Sequence, residues 1–364
     1  MGAITRGIAN NVLGTGEIDA TDGVNGVIPA SNVNNTSFGS VTSLPALAGT
    51  ITTVAGDPPA PSEGQVWYNS VAGALKYYGY SRAWATGGNL STGRWQSAQA
   101  GTQTDALIAA GNPGTSPFAT NITEEYNGTS WSPGGNLSTA RRALGGAGAT
   151  STAAFAIGGI ISPGDRYRAD TEEYDGSSWT SGGSLNTGRD ILGAVGTLTA
   201  GLAIGGNTSG GNSSATEEYN GTSWTAGGGL NTARRGSMNA GTQTAAMASG
   251  GDDDTLSSAV EEYDGSSWAT VTSLPAGREA GGGAGIQTSA LVFGGLTPPI
   301  VATTLEYDGS NWTSASSLNV ARWGVMGAGT NADTALAYGG STPSASTSTE
   351  ELTLSAANIT VTES

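Results

Sequence analysis

The chain has neither cysteine nor histidine among its 364 residues. Without cysteine there are no disulfides, thiolate nucleophiles or cysteine-ligated metals. Without histidine there is no Ser-His-Asp triad, no His-bound zinc or copper, and no usual base near neutral pH. Charge is scarce too: Asp, Glu, Lys and Arg make up 12%, about half the usual share. Of these, 29 are acidic and 13 basic, a net charge of −16, and Lys76 is the single lysine. Phosphate backbones and anionic lipid surfaces are repelled by such a chain, so no nucleic acid and no membrane insertion are expected. No run of about 18 apolar residues occurs, and "MGAITRGIANNVLG" lacks the apolar core of a signal peptide. A soluble chain made in the cytoplasm is expected.

What the sequence has instead is glycine, 60 residues of it, and repetition. Trp recurs at 84, 131, 179, 224, 268 and 312. Ten residues after each comes an Arg: Arg94, Arg141, Arg189, Arg234, Arg278 and Arg322. Seven residues further stands a Gly, at 101, 148, 196, 241, 285 and 329. Apolar runs such as "AAFAIGG" and "SALVFGG" follow, then "TEEYNG" or its variants, then "SW" or "NW". Each unit predicts four short strands: a Gly/Ala-rich one after the Arg, an apolar one, one with Glu-Glu-Tyr, and one with Trp. Asn-Gly or Asp-Gly between the last two predicts a type I′ hairpin turn. Loops between the second and third strands vary ("NPGTSPFATN", "DDDTLSSA"), as in a scaffold that binds through one side.

Six copies at a period near 45 residues predict an all-β fold, a six-bladed β-propeller. The Gly-Gly, Tyr, Trp order resembles the kelch repeat over about residues 75 to 355, and the resemblance implies small residues lining a central channel. The last unit lacks a Trp hairpin and the first begins mid-unit at "LKYYGYSRAW". The Trp84 strand is therefore expected to complete the blade begun at Arg322. The expected division is an extended N-terminal attachment segment, residues 1–60 with its Pro-rich linker, followed by a propeller over 61–364.

The "NNTSFGSVTSLPA" register and the "PSEGQVWYNSVAGALKYYG" hairpin look like the N-terminal parts of bacteriophage virion proteins, tail-fibre and other tail-associated chains, notably of marine phages. That resemblance implies residues 1–60 attach to other virion tail proteins or sister chains, by analogy as a homotrimer. It places the protein in the virion tail after assembly in the host cytoplasm.

The candidate ligand-binding residues are the six phased arginines, with Trp95 and Trp323 beside two of them. The kelch resemblance implies that these arginines border the central mouth and meet acidic ligands. They are also suited to pairing with glutamates of the repeat (Glu125, Glu173, Glu218, Glu262, Glu306, Glu351), tying the blades together. The residue after each Arg varies (Trp95, Arg142, Asp190, Arg235, Glu279, Trp323), a variety that a purely structural ring does not need. The six Trp and five Tyr of the repeat are expected to pack. The Glu pairs are poor glycosidase carboxylates, because adjacent strand residues face opposite ways. "YDGSSW" misses the sialidase Asp-box by one residue, and galactose-oxidase-like copper chemistry needs His and Cys. "GDDDT" at 251–255 is expected to be a solvated loop rather than a Ca²⁺ site. No metal, cofactor or catalytic residue is expected. The function expected is a non-enzymatic phage tail protein of the fibre or adhesin type, displaying its propeller to a host-surface glycan or protein. The alternatives are a glycan-degrading or glycan-modifying enzyme on the same frame, and a head or baseplate decoration protein without receptor binding.

Overall fold

A computed structural model describes residues 51–62, 65–161 and 167–360 of the chain. The attachment role expected for residues 1–60 therefore falls largely outside the described residues. The chain divides into a unit of Met1–Arg82 with Leu354–Ser364, and a larger unit, Ala83–Thr353. The expected boundary near residue 60 is thus displaced, and residues 61–82 and 354–364 group with the N-terminal segment.

In the smaller unit, Thr52–Val54 runs parallel to Val66–Asn69, which pairs antiparallel with the start of Ala74–Thr86. Asp57 accepts hydrogen bonds from Trp67 Nε1 (3.2 Å), Asn69 Nδ2 (2.7 Å) and Asn358 Nδ2 (3.1 Å), and from Lys76 Nζ (2.9 Å). The ammonium of Lys76, then Asn69, holds the Asp57 carboxyl down to about 2.

The larger unit is a β-propeller, and the described residues contain no helix. Five sheets are antiparallel and four-stranded, each from one repeat; an example is Gly193–Thr197, Ala200–Ile204, Thr216–Tyr219 and Trp224–Ala226. The expectation of a six-bladed propeller is corrected here: five four-stranded blades form, not six. The remaining repeat's Met326–Asn331, Thr334–Tyr338 and Thr349–Thr360 join the Trp84 strand, Ala74–Thr86, in a sheet of six strands. The physical reason is length: this sheet draws on both ends of the array, and its two long strands have 13 and 12 residues. Trp84 Nε1 donates to Ser316 O at 2.9 Å, and Asn319 Nδ2 donates to Trp84 O at 2.8 Å.

The innermost strands pack against one another around the axis. Their glycines are required by close approach. A β-carbon on Gly283 would meet Asn239 O at 2.4 Å, and one on Gly327 would meet Gly283 O at 2.4 Å. Farther out, five of the six repeat Trp lie against the Tyr of their own hairpin, as Trp224 does on Tyr219 at 4.7 Å, while Trp84 meets Phe293 edge-on at 5.0 Å. The Trp224 indole N–H crosses to the preceding blade, where Nε1 donates to Thr171 Oγ1 at 2.9 Å. The connecting turn differs from the type I′ expectation. Only the glycine has positive φ (Gly221, 89°), while Asn220 Oδ1 accepts the N–H groups of Thr222 and Ser223 at 2.9 Å. A four-residue loop closed by an Asx contact replaces the two-residue turn.

The Glu-Glu-Tyr motif works as an inter-blade tie. The second Glu accepts the phenol of the next blade: Tyr263 OH donates to Glu218 at 2.6 Å, Tyr174 to Glu125, Tyr219 to Glu173 and Tyr126 to Glu351. Burial first, and then the carboxylate, pushes Tyr126, Tyr174, Tyr219, Tyr263 and Tyr307 up to about 12. A folded-state value above the ordinary one means the phenol is favoured in the native state. The stabilisation is fully present below pH 10 and is lost as pH rises from about 10 to 12. Tyrosinate absorbance and tryptophan fluorescence should therefore change together within that window, as ionisation and unfolding coincide. Titration of Tyr126, Tyr174, Tyr219, Tyr263 and Tyr307 near 10 in a still-folded protein would contradict the tie.

Candidate functional site

The six phased arginines do not form a ligand-facing ring. Arg94, Arg189, Arg234 and Arg322 are wholly buried, Arg141 is 1% exposed and Arg278 is 5% exposed. Each sits at the entry to its own blade and reaches back under the third strand. Arg189 Nη2 meets Glu217 Oε1 at 2.8 Å, while Nη1 donates to Gly205 O (3.0 Å) and Ala215 O (2.6 Å). The same ion pair joins Arg94 to Glu124, Arg141 to Glu172, Arg234 to Glu261 and Arg322 to Glu350, all within 2.7–2.8 Å. Burial lowers each guanidinium from its ordinary value and the carboxylate opposes that. The binding role expected for these arginines is therefore corrected: a group sealed in a blade cannot reach a ligand.

The expected partner glutamates are corrected too, by one residue. Because adjacent strand residues face opposite ways, the first Glu turns to its own blade's Arg and the second to the next blade's Tyr. The spare oxygen of the first Glu fixes the incoming chain: Asn186 N donates to Glu217 Oε2 at 2.7 Å. Arg278 is the exception, since its repeat has Leu305 where the others have Glu. It donates instead to Thr303 O (3.0 Å) and Thr303 Oγ1 (2.6 Å).

Two concentric rings follow the arginines at the mouth of the channel. The inner ring is Gln96, Ala143, Ile191, Gly236, Ala280 and Gly324, all at φ between 51° and 64°. Successive blades are laced there by backbone bonds, from Ala143 N to Gln96 O (2.8 Å) round to Gly324 N to Ala280 O (2.6 Å). A left-handed backbone is costly for Ile191, and the inter-blade bonds hold it in place. Inside this ring lies a cavity of about 120 Å³, with Gln96, Gln99, Ser237 and Asn239 among its walls. At the other end of the innermost strands is a second cavity of about 290 Å³, walled mainly by Gly, Ala and Thr.

The outer ring is the variable position. Its backbone bridges repeat from copy to copy, as in Trp95↔Asn112, Arg142↔Ile160 and Trp323↔Ser341. Its side chains do not repeat. Trp95 and Trp323, neighbours across the ring closure, are both half-buried, with ring centroids 5.8 Å apart at 46°. Arg142 is half-buried, and its guanidinium has no partner among the described residues. Asp190 is wholly buried. Arg235 Nη2 binds Asp252 Oδ2 at 2.5 Å, and Glu279 stands in the same sector. Burial, and then Asp252, raises the Glu279 carboxyl from its ordinary value, while Arg235 opposes this. The acidic loop at 251–255 is thus engaged with Arg235. Among the described residues no group of three acidic side chains is placed to hold a metal. Sequence spacing singled out Trp95 and Trp323; the inner ring was invisible to it, because nothing in Gln, Ala, Ile or Gly announces a shared backbone conformation.

No protein-family model matches the chain, and no curated protein matches it. Among solved structures it is similar to one described as "Structure of YjhT", at 13% identity and a TM-score of 0.59. The match covers 74% of this chain and 99% of that one. At that identity the likeness shows the propeller fold alone.

Proposed function

We propose that the protein is a non-catalytic, kelch-like receptor-binding component of a phage tail, presenting the mouth face of its propeller to a host-surface glycan or protein. The observation that supports this most is the contrast between the two rings: a repeated backbone carries aromatic, cationic and acidic side chains at one phase around the mouth, all but the buried Asp190 partly exposed. A frame conserved in geometry and varied at its rim is suited to recognition. The phage setting rests on the resemblance of the Gly64–Gly79 hairpin and the repeats to tail-associated virion chains. In that setting residues 1–60 join other tail proteins, the assembly is a homotrimer, and many copies give avidity to weak contacts.

Catalysis is disfavoured by the use already made of the repeat carboxylates, one on Arg and one on Tyr in nearly every blade. A glycan-modifying enzyme is the second reading, and Glu279 beside Asp252 is the observation in its favour. Peptide mass spectrometry of purified particles should find the chain at stoichiometric levels. Its absence from particles would overturn the virion reading, and saccharide turnover abolished by Glu279→Gln would establish the enzyme instead.

A further inference from the structure

We infer that Trp95, Trp323 and Gln96 form a subsite for a neutral pyranose, the terminal or exposed ring of a host-surface saccharide. The inference rests on the receptor-binding reading above and gives it a ligand class. Four observations carry it.

The first is that the frame does not need these tryptophans. At the same position the other repeats have Arg142, Asp190, Arg235 and Glu279, and the same backbone bridging recurs with each. Two large aromatic side chains left partly in solvent without a structural need mark a contact surface.

The second is the setting of the rings. Small residues border the Trp95 side chain. A β-carbon on Gly324 would lie 3.1 Å from Trp95 Cβ, and one on Gly114 would lie 3.5 Å from its Cζ3. Gly324 and Gly114 thus pack close against the indole, and Gly324 also lines the mouth cavity that Gln96 borders. Two tilted indoles offer π-faces to the C–H face of a sugar ring, an apolar contact with defined geometry.

The third is an unmet acceptor on the inner ring, at the mouth cavity. Gln96 Oε1 is shielded from solvent and accepts no hydrogen bond among the described residues. It borders the mouth cavity, next in sequence to Trp95. A buried amide oxygen without a donor costs free energy, and a sugar hydroxyl is a donor of the right size.

The fourth is charge. Glu279 stands one rim position from Trp323, and Arg142 one rim position from Trp95. Opposite charges flank the two indoles and offset each other there, which favours a ligand without a net charge.

The test uses the full-length chain and four probes: maltopentaose, cellopentaose, laminaripentaose and mannopentaose. Binding is read by calorimetry and tryptophan fluorescence, with oligogalacturonate and choline as acidic and cationic comparisons. At least one neutral probe is expected to bind. Trp323→Ala and Trp95→Ala should each weaken it about tenfold or more. Gln96→Leu, which keeps both indoles, should weaken it several-fold and serves as the readout if a tryptophan variant does not fold. Binding of none of the four probes, binding unaffected by the substitutions, or binding of only the acidic or cationic compound would each overturn the subsite. Adhesion of the same proteins to host cells is measured in parallel. Wild-type adhesion retained in all variants sinks this subsite alone, whereas a wild type that does not adhere sinks the receptor reading.

Discussion

Replacing Glu217 by Ala lowers the unfolding free energy by about 3–5 kcal/mol, the cost of leaving a buried charge without its counter-ion. Arg189 is wholly buried, and its Nη2 has Glu217 as its carboxylate partner at 2.8 Å. The substitution also releases Asn186 N, which donates to the other Glu217 oxygen. The double variant Arg189→Met, Glu217→Leu should recover a large part of the loss, because no charge then remains to be desolvated. Arg278 provides an internal control, since its repeat already carries Leu305 in place of the Glu. Arg278→Met removes the bonds to Thr303 and leaves no orphan carboxylate, so it should cost clearly less than Glu217→Ala. Urea midpoints at constant m value check all three. Equal losses at Glu217 and Arg278 would mean that the ion pair adds nothing beyond packing.

Phe155→Ala is the second large effect, again about 3–5 kcal/mol. The ring is wholly buried where one blade meets the next, 5.9 Å from Trp224 and 6.4 Å from Tyr219. It fills the space left by Gly201 in the neighbouring blade, where a β-carbon would stand 2.8 Å from Phe155 Cε1. Gly201→Ala alone should therefore destabilise by overpacking. In the Phe155→Leu background the same substitution should cost less, or even stabilise. Thermal melts of the four proteins give the coupling directly, and strictly additive effects would contradict the contact.

Much of this fold was legible from residue offsets. The repeat set the all-β propeller, the four strands per unit, and the Trp and Tyr packing. Glycine at fixed phase marked where each innermost strand crowds the next strand of its own blade, as at Gly241 and Gly285, whereas Gly283 and Gly327 stand at a phase that other repeats fill with larger residues. The site was less legible, for reasons of one-residue geometry. Glu217 and Glu218 are adjacent, and only the pleat decides that the first meets Arg189 and the second meets Tyr263. The repeated Arg looked like a ring around an opening because symmetry places equal residues at equal radii. Symmetry does not say whether that radius is solvent or core. Length was the other gap: the long strands Ala74–Thr86 and Thr349–Thr360 outrun the repeat, so the closing sheet and the unit boundary differ from the expected pattern. What did transfer was the variable residue after each Arg, where departure from the repeat pointed to the rim.

The most direct measurement is adhesion of the purified, fluorescently labelled full-length chain to host cells, with soluble sugar release followed in the same sample. Saturable binding that persists without released saccharide, and that falls when the rim position is altered at Trp95 and Trp323, is the predicted result. No binding above that of an unrelated propeller, or binding that declines as cleaved saccharide accumulates, would contradict the account.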